Sequence, residues 1–558
     1  MNRQPATNAV CNVAARLASM AASIPDNLAV IMPQGRDASG KRRYASVTFR
    51  ELDQDSDRLA RGLRELGVAP GVRLALLVKP SIDFISLVFA LFKAGVVTIL
   101  IDPGMGKKNL IACLEAAEPE GFVAISPVHA VRTLLRRKFG KARFNVTVGR
   151  RWFWGGATLD QLRGTAWSGP ELAETKSDDA AAIIFTTGST GPPKGVLYRH
   201  GNFDRQVTEI RDFYGIQPGG LDLAGFPLFG LFNCAMGVTT IIPDMDASRP
   251  ASVDPANIVE AIRDCQATQA FASPAVWNRV GPYCVQRGIR LPSLRRVLSA
   301  GAPVLPHVLE AMKSVISPDG EMHTPYGATE SLPVASSAAS EVLGETAEKM
   351  RQGAGVCVGR KFPGIEWKVV RVVDGPIAEI ADVEEAPAGG IGELIVRGDV
   401  VTREYATRQE WNSLSKIRDG NAIWHRIGDV GYLDQLGRFW YCGRAAHRVR
   451  TANGPLYTEQ CEAIFNNHPD VLRSALVGIG EPGAQQPVII VEPRPGKAPQ
   501  DERAKQAFIE ELRTLGQSNP LSAEIDRFLF HPSFPVDIRH NAKIFRENLA
   551  EWAAAKTE

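Results

Sequence analysis

At 558 residues the chain is too long for one hydrophobic core, so two or more domains are expected. A hydrophobic content of 44% with 22% charged residues is ordinary for a soluble globular enzyme, and a net charge of +3 gives no ground for nucleic-acid binding. The eight cysteines are scattered without a C-x-x-C pair, which argues against a zinc site or a disulfide framework and makes a reducing cytoplasm the simplest location.

The N-terminal stretch reads as an amphipathic helix, Asn8 to Ala22, in which Arg16 interrupts any signal-peptide core. Helical patterns over Phe49 to Leu66, Ser81 to Ala94 and Leu110 to Ala117 then alternate with β-rich runs over Val72 to Val78, Val96 to Ile101 and Gly121 to Ile125. That alternation implies parallel sheets covered by helices, an α/β fold. Asp83, Lys93 and Gly95 break the apolar run from Ile82 to Ile101, so a buried helix–strand unit is expected there rather than a membrane span. Between Arg132 and Arg151 there are many Arg and Lys residues and no acid, followed by Trp152-Phe-Trp154. A solvated basic face over packed aromatics is one reading; a peripheral contact with an anionic membrane or a partner is the other.

The strand-like run Ala181 to Phe185 opens into Thr186, Thr187, Gly188, Ser189, Thr190 and Gly191, then Pro192, Pro193 and Lys194. Glycines let the backbone N–H groups turn inward, hydroxyls add donors and Lys194 adds a compact positive charge, a set suited to a polyphosphate. The two prolines before the lysine deny the helix start that a Walker A loop requires. Further on come a helix near Asn202 to Tyr214, a strand near Gly237 to Ile242, a helix near Pro255 to Cys265 and a strand near Ala270 to Ala272. Ser299-Ala-Gly301-Ala302-Pro303 follows a strand over Arg296 to Leu298, and its small residues let a flat ring lie against the backbone. In Thr324-Pro-Tyr326-Gly327-Ala-Thr329-Glu330, Tyr326 offers an aromatic face and Gly327 a close backbone approach. Thr329 offers a phosphate donor and Glu330 a hard oxygen for Mg²⁺; the alternative is a plain turn with a helix-capping Thr.

After Gly355 the pattern turns antiparallel, with strands over Trp367 to Val373 and Gly392 to Gly398 and a polar loop from Glu379 to Gly390. Asp429, among small residues, can accept both ribose hydroxyls, and Arg444 in Tyr441-Cys-Gly-Arg444 can reach ribose or phosphate; a strand-turn ion pair between the two is the alternative. A small α+β pattern follows Ala445, so a junction is expected at 444–446, separating 1–443 from 447–558.

The loop at 186–194, the segments at 299–303 and 324–330, Asp429 with Arg444, and His540-Asn-Ala-Lys543-Ile-Phe-Arg546 occur in the order found in the adenylate-forming superfamily, which the chain resembles from about Asn12 to Arg546. That resemblance implies a large N-terminal domain of two βα subdomains plus a distorted β-barrel, a small mobile C-terminal α+β lid, and ATP with Mg²⁺ as cofactors. It places the 299–303 segment beside adenine and makes Lys543 the lysine that stabilises charge on the α-phosphate. Most relatives acylate an external thiol after the lid rotates about its hinge.

Here the hinge lacks the usual Asp or Lys, having Ala445 and Ala446. Asn453 stands where the thiol-exposing loop has a glycine, and Gln460 replaces an acid. In Phe226-Pro-Leu-Phe229-Gly230-Leu-Phe232-Asn, Gly230 is read as freeing space beside the carboxylate site, with Phe229, Phe232 and Met236 among the apolar wall; ordinary core packing is the alternative. These departures resemble the β-lactone-forming branch of bacterial long-chain olefin biosynthesis. The implied substrate is a 2-alkyl-3-hydroxy fatty acid, and the implied partners are neighbouring pathway enzymes, including a β-lactone decarboxylase. Competing readings are a long-chain acyl-CoA ligase, a fatty acyl-AMP ligase and a non-catalytic nucleotide-binding protein.

Overall fold

The structure is a computed structural model and describes residues 10–166, 168–186, 192–536 and 544–556. Its first sheet follows from the βα alternation. Short, largely apolar segments form the strands Arg73–Leu77, Val97–Leu100, Gly121–Ile125, Phe144–Val148 and Ala180–Phe185, all parallel. Gly195–Arg199 closes one edge antiparallel to Ala180–Phe185, and Ala157–Thr158 closes the other.

The helix Phe49–Glu65 starts at a capping box, in which the Thr48 side chain accepts from Glu51 N–H and the Glu51 carboxylate accepts from Thr48 N–H. It turns Phe49, Leu52, Leu59 and Leu63 inward. Ile82–Lys93 is buried on nearly every side, and Lys93 ends it by donating to Asp53 and Asp57 at 2.6 Å each. That ion triad explains a lysine inside so apolar a segment; no helix among the described residues is long and apolar enough to cross a membrane. The N-terminal helix is shorter than expected, Ala15–Ser23, and residues 1–9 lie outside the described ones.

A second, fourteen-stranded sheet carries the rest of the large part. Thr239–Ile241, Leu221–Ala224, Gln269–Ala272, Arg296–Ser299 and Glu321–Ala328 are neighbours in that order and parallel. Beyond Glu321–Ala328 the sheet becomes antiparallel through Ser331–Ala338, Val356–Lys361, Phe439–Arg444, Ala422–Leu433, Gly392–Arg397 and Glu366–Val370. The expected distorted barrel is therefore an open extension of this sheet among the described residues, with Glu366–Val370 ending the pairing order.

After the short turn Ala445–His447, a two-stranded ribbon (Val449–Thr451, Gly454–Leu456) and a three-stranded sheet (Val471–Ile479, Gln486–Pro493, Arg527–Phe530) pack with helices Thr458–Phe465, Glu502–Gln517 and Arg546–Ala555. Two hydrophobic clusters here draw only on residues from Val449 onward. Gly443 makes the passage from large sheet to small part: its φ is +141°, and a Cβ there would lie 2.4 Å from Thr458 Oγ1.

Candidate active site

Parallel strands aim their C-terminal ends at one rim, where open α/β sheets bind ligands. On the large sheet that rim carries, strand by strand, Gly225 and Phe226, then Phe271, then Gly301, Ala302 and Pro303, then Tyr326 to Glu330. On the first sheet the rim carries Thr186, at the end of Ala180–Phe185. Thr186 N–H donates to Lys194 C=O at 3.0 Å and its hydroxyl accepts from Lys194 N–H at 3.3 Å, pinning the base of the loop. Thr187, Gly188, Ser189, Thr190 and Gly191 lie outside the described residues, as does Lys543.

The segment at 324–330 is neither a plain turn nor a helix cap. It forms a hairpin, Ala328 facing Ser331, with Thr329 and Glu330 as its two turn residues. Gly327 sits at a shift in register; a Cβ there would lie 2.5 Å from Ser331 O, so only glycine lets the strands close at this point. Tyr198 on Gly195–Arg199 donates its hydroxyl to Thr329 C=O at 2.5 Å, tying the hairpin to the first sheet.

Asp429 and Arg444 face each other in register across Ala422–Leu433 and Phe439–Arg444. Arg444 Nη1 donates to Asp429 Oδ1 at 2.7 Å and to Ile427 C=O at 2.8 Å, while Tyr326 donates its hydroxyl to Asp429 Oδ2. The ion pair foreseen as an alternative is thus present, and it brings three of the sequence-identified residues together. Asp429 raises the Arg444 pKa, and burial pushes the Tyr326 phenol well up, so both keep their protons and remain donors.

Glu330 is buried, and its Oε1 accepts the Tyr405 hydroxyl at 2.7 Å. Its backbone C=O accepts from Thr402 N–H at 2.9 Å and from the Thr402 hydroxyl at 3.0 Å; Lys416 Nζ in turn donates to Thr402 C=O at 2.5 Å. Burial pulls the Lys416 pKa down to about 7 and lowers that of Lys194, with Glu330 opposing both shifts. Lys194 Nζ sits 4.1 Å from the Trp411 ring centre and 5.1 Å from that of Tyr405. Tyr198, Thr402, Tyr405, Trp411 and Lys416 were not read from the sequence. They lie outside the motifs at no diagnostic spacing, and only the packing of Gly195–Arg199 and of residues 402–416 against the hairpin shows their part.

Among the described residues no cluster of three or more metal-capable side chains exists. A single carboxylate at Glu330 still fits Mg²⁺, which commonly takes one or two carboxylates and completes its shell with water and substrate phosphates.

The acyl side departs from expectation at Gly230. The helix Phe229–Ala235 is wholly buried, and a Cβ on Gly230 would meet Ile85 Cδ1 at 2.8 Å. The space that glycine vacates is filled by the Ile82–Lys93 helix, so ordinary packing accounts for it. Met236 is also buried and lines a groove with Arg16, Met20 and Arg211. Phe229 does face the rim: its ring stacks on Phe271 at 4.1 Å and 3°, with Phe226 exposed beyond it and Phe232 behind. Beside them an apolar cleft is lined by Phe84, Ile85, Ala224, Gly225, Pro227 and Ile242.

From the small part, Arg546 reaches into the junction. Its Nη2 lies 2.6 Å from Glu462 and 4.0 Å from Glu459, both on Thr458–Phe465. Burial raises the Glu462 carboxyl to about 7, against the pull of Arg546. Of the histidines near motifs, His200 is buried with its pKa lowered to about 4, His323 packs on the Tyr214 ring at 5.0 Å, and His447 pairs with Glu547 at 3.1 Å. None of these contacts joins them to the Thr329–Glu330 hairpin.

The model for AMP-binding enzymes matches residues 17–406 of this chain. An olefin beta-lactone synthetase of Xanthomonas campestris pv. campestris is 46% identical over 555 residues, covering 98% of each chain. One of the same name from Stenotrophomonas maltophilia is 45% identical over 559 residues, covering 99% of each. The crystal structure of ATP-bound MatB from Rhodopseudomonas palustris overlays with a TM-score of 0.77 at 21% identity, covering 98% of this chain and 99% of that one. The chain belongs to the AMP-binding enzyme family and is an adenylate-forming ligase.

Proposed function

We propose that the enzyme converts a 2-alkyl-3-hydroxy fatty acid and ATP into a β-lactone, AMP and pyrophosphate. The observation that carries this reading is the 45–46% identity to two olefin beta-lactone synthetases along nearly the whole chain, the altered C-terminal segments included.

In the first step a substrate carboxylate oxygen attacks the α-phosphorus of ATP, the P–O bond to the β-phosphate breaks and pyrophosphate leaves. The loop from Thr186 to Gly191, with Lys194, would hold the phosphates. Tyr326, Gly327 and the Gly301–Ala302–Pro303 turn would flank adenine, and Asp429 would accept from the ribose while Arg444 holds Asp429 in place. Thr329 would donate to phosphate. Glu330 would hold Mg²⁺, which when bound neutralises phosphate charge. Lys543 would stabilise the charge that develops between carboxylate and α-phosphate. We assign 444–446 as the hinge between a 1–443 body and a 447–558 lid that delivers Lys543.

In the second step the substrate's own 3-hydroxyl oxygen attacks the acyl carbonyl, loses its proton and expels AMP. Holding hydroxyl and carbonyl in one molecule removes the need to recruit an external thiol. That accommodates Ala446, Asn453 and Gln460, since no thiol-delivering geometry is required. Phe226, Phe229 and Phe271 would form the apolar wall at the carboxylate end. A strained lactone suits transfer to a decarboxylating enzyme of the same pathway.

The test is incubation with ATP, Mg²⁺ and a 2-alkyl-3-hydroxy fatty acid, with and without CoA, and identification of products by NMR. A β-lactone formed without CoA is expected. A thioester formed only with CoA, and no lactone, would return the enzyme to the acyl-CoA ligases.

A further inference from the structure

The basic stretch from Arg132 to Arg151 divides its aromatics between two fates. Trp154 is buried, stacked on His129 at 5.7 Å, with its indole N–H donating to Thr147 Oγ1 at 2.9 Å. Its neighbours stay outside: Trp152 is 52% exposed and Phe153 72%, their rings 5.4 and 5.1 Å from Trp154. The helix Ser126–Leu134 lies against the same group, through His129 and through a hydrogen bond from the Ser126 hydroxyl to Arg150 C=O. Its outer stripe, at i, i+4 and i+7, is Pro127, Val131 and Leu134, the last two 47% and 80% exposed. Large apolar side chains thus run from the Trp152 turn down a helix roughly 13 Å long.

Cations flank this strip along the chain. Lys138, Lys141 and Arg143 are occupied by Glu115, Glu118 and Glu120. Arg136, Arg137 and Arg150 make no ion pair among the described residues, and no acid occurs between Arg132 and Arg151. Exposed Trp and Phe beside uncompensated Arg match the interface of an anionic bilayer, where aromatic rings enter the headgroup layer and guanidinium groups meet lipid phosphates.

The strip is also placed well for that use. The turn holding Trp152 follows Phe144–Val148, and the helix follows Gly121–Ile125, both parallel to Ala180–Phe185. The aromatic end therefore shares a rim with Thr186, four strand spacings away, roughly 19 Å. We propose that this edge is a peripheral docking surface for anionic lipid bilayers, holding the cleft rim near the membrane. The advantage for a lipid-like substrate rests on the function proposed above; the docking itself does not.

The full chain is tested by cosedimentation, without substrate, on vesicles of phosphatidylcholine alone and of phosphatidylcholine with phosphatidylglycerol, at low and high salt. Sedimentation with the anionic vesicles, weakened by salt, is expected. Arg136→Gln, Arg137→Gln and Arg150→Gln together should lower partitioning by roughly tenfold to a hundredfold. Trp152→Ser with Phe153→Ser should also lower it, with the circular dichroism and thermal transition of both variants unchanged. Trp152→Phe should still sediment but lose fluorescence quenching by brominated lipids. Equal recovery on both lipids, no recovery on either, or binding that survives both sets of substitutions would overturn the proposal, even if lactone formation holds.

Discussion

Asp429 shows how much a single residue's setting adds to its identity. A carboxylate that reads as a ribose acceptor has both oxygens engaged before any nucleotide arrives, by Arg444 and by Tyr326. Its acceptor lone pairs are aimed by partners one strand away and one sheet region away. Lys416 makes the opposite point, because nothing in its sequence neighbourhood marks it. Burial moves its pKa from 10.5 to about 7. Between those values the unfolded chain holds a proton that the folded one releases, so this group makes stability rise with pH across that window. From pH 7 to 9 the gain is about 2 kcal/mol. Comparing urea midpoints at the two pH values should show that increment in the parent and its absence in Lys416→Met; parallel shifts in both proteins would refute a buried, titrating lysine.

At the scale of an element, the stretch between Pro535 and Arg546 is held at both ends. Phe545 N–H donates to Pro535 C=O at 2.9 Å, Val536 bridges Ile544, and Arg546 anchors to Glu462. Lys543 lies three residues before that anchor in the chain, and on the function proposed above Arg546 would be a positioning residue for it. Removing one partner of a buried ion pair strands the other, at about 3–5 kcal/mol. Arg546→Ala should therefore lower the melting of the C-terminal part and reduce ATP–pyrophosphate exchange to the level of Lys543→Ala, which by contrast should melt normally. Parent-like exchange in Arg546→Ala would show that the anchor is dispensable. The Thr329–Glu330 hairpin is the other instructive element. Its composition suggests a phosphate and metal segment, which is part of the function proposed above; its hairpin form depends on Ser331–Ala338, a partner whose alternation is blurred by Ser and Ala.

Across the whole molecule, polar contacts help to join the small part to the large one. Asp374 pairs with Arg448 at 2.6 Å and Arg450 at 2.8 Å, and Asn467 and Asn519 donate to the C=O groups of Arg351 and Gln352. Exposed pairs of this kind contribute about 1 kcal/mol or less. Asp374→Ala should leave the melting temperature nearly unchanged while altering the ratio of lactone formation to pyrophosphate exchange, if the lid turns between the half-reactions. An unchanged ratio would count against that rotation.

The alternation of helix and strand was readable from the chain, and Thr186, Lys194, Tyr326, Glu330, Asp429 and Arg444 could be proposed from it, because periodicity and local backbone chemistry are written in neighbouring residues. What only the tertiary structure decided depends on residues distant in sequence. Ile85 fills the space beside Gly230, and Met236 lines a groove with Arg16, Met20 and Arg211. Among the described residues the sheet extends open rather than closing as a barrel, and Tyr405 and Lys416 close over Glu330 from some 75 to 86 residues further along the chain. Trp154 and Trp152, two residues apart in one motif, separate into core and surface because only the former meets His129 and Thr147. Local pattern specifies which groups are available; the packing of remote elements specifies which of them face one another, since burial and hydrogen bonding act between neighbours in space.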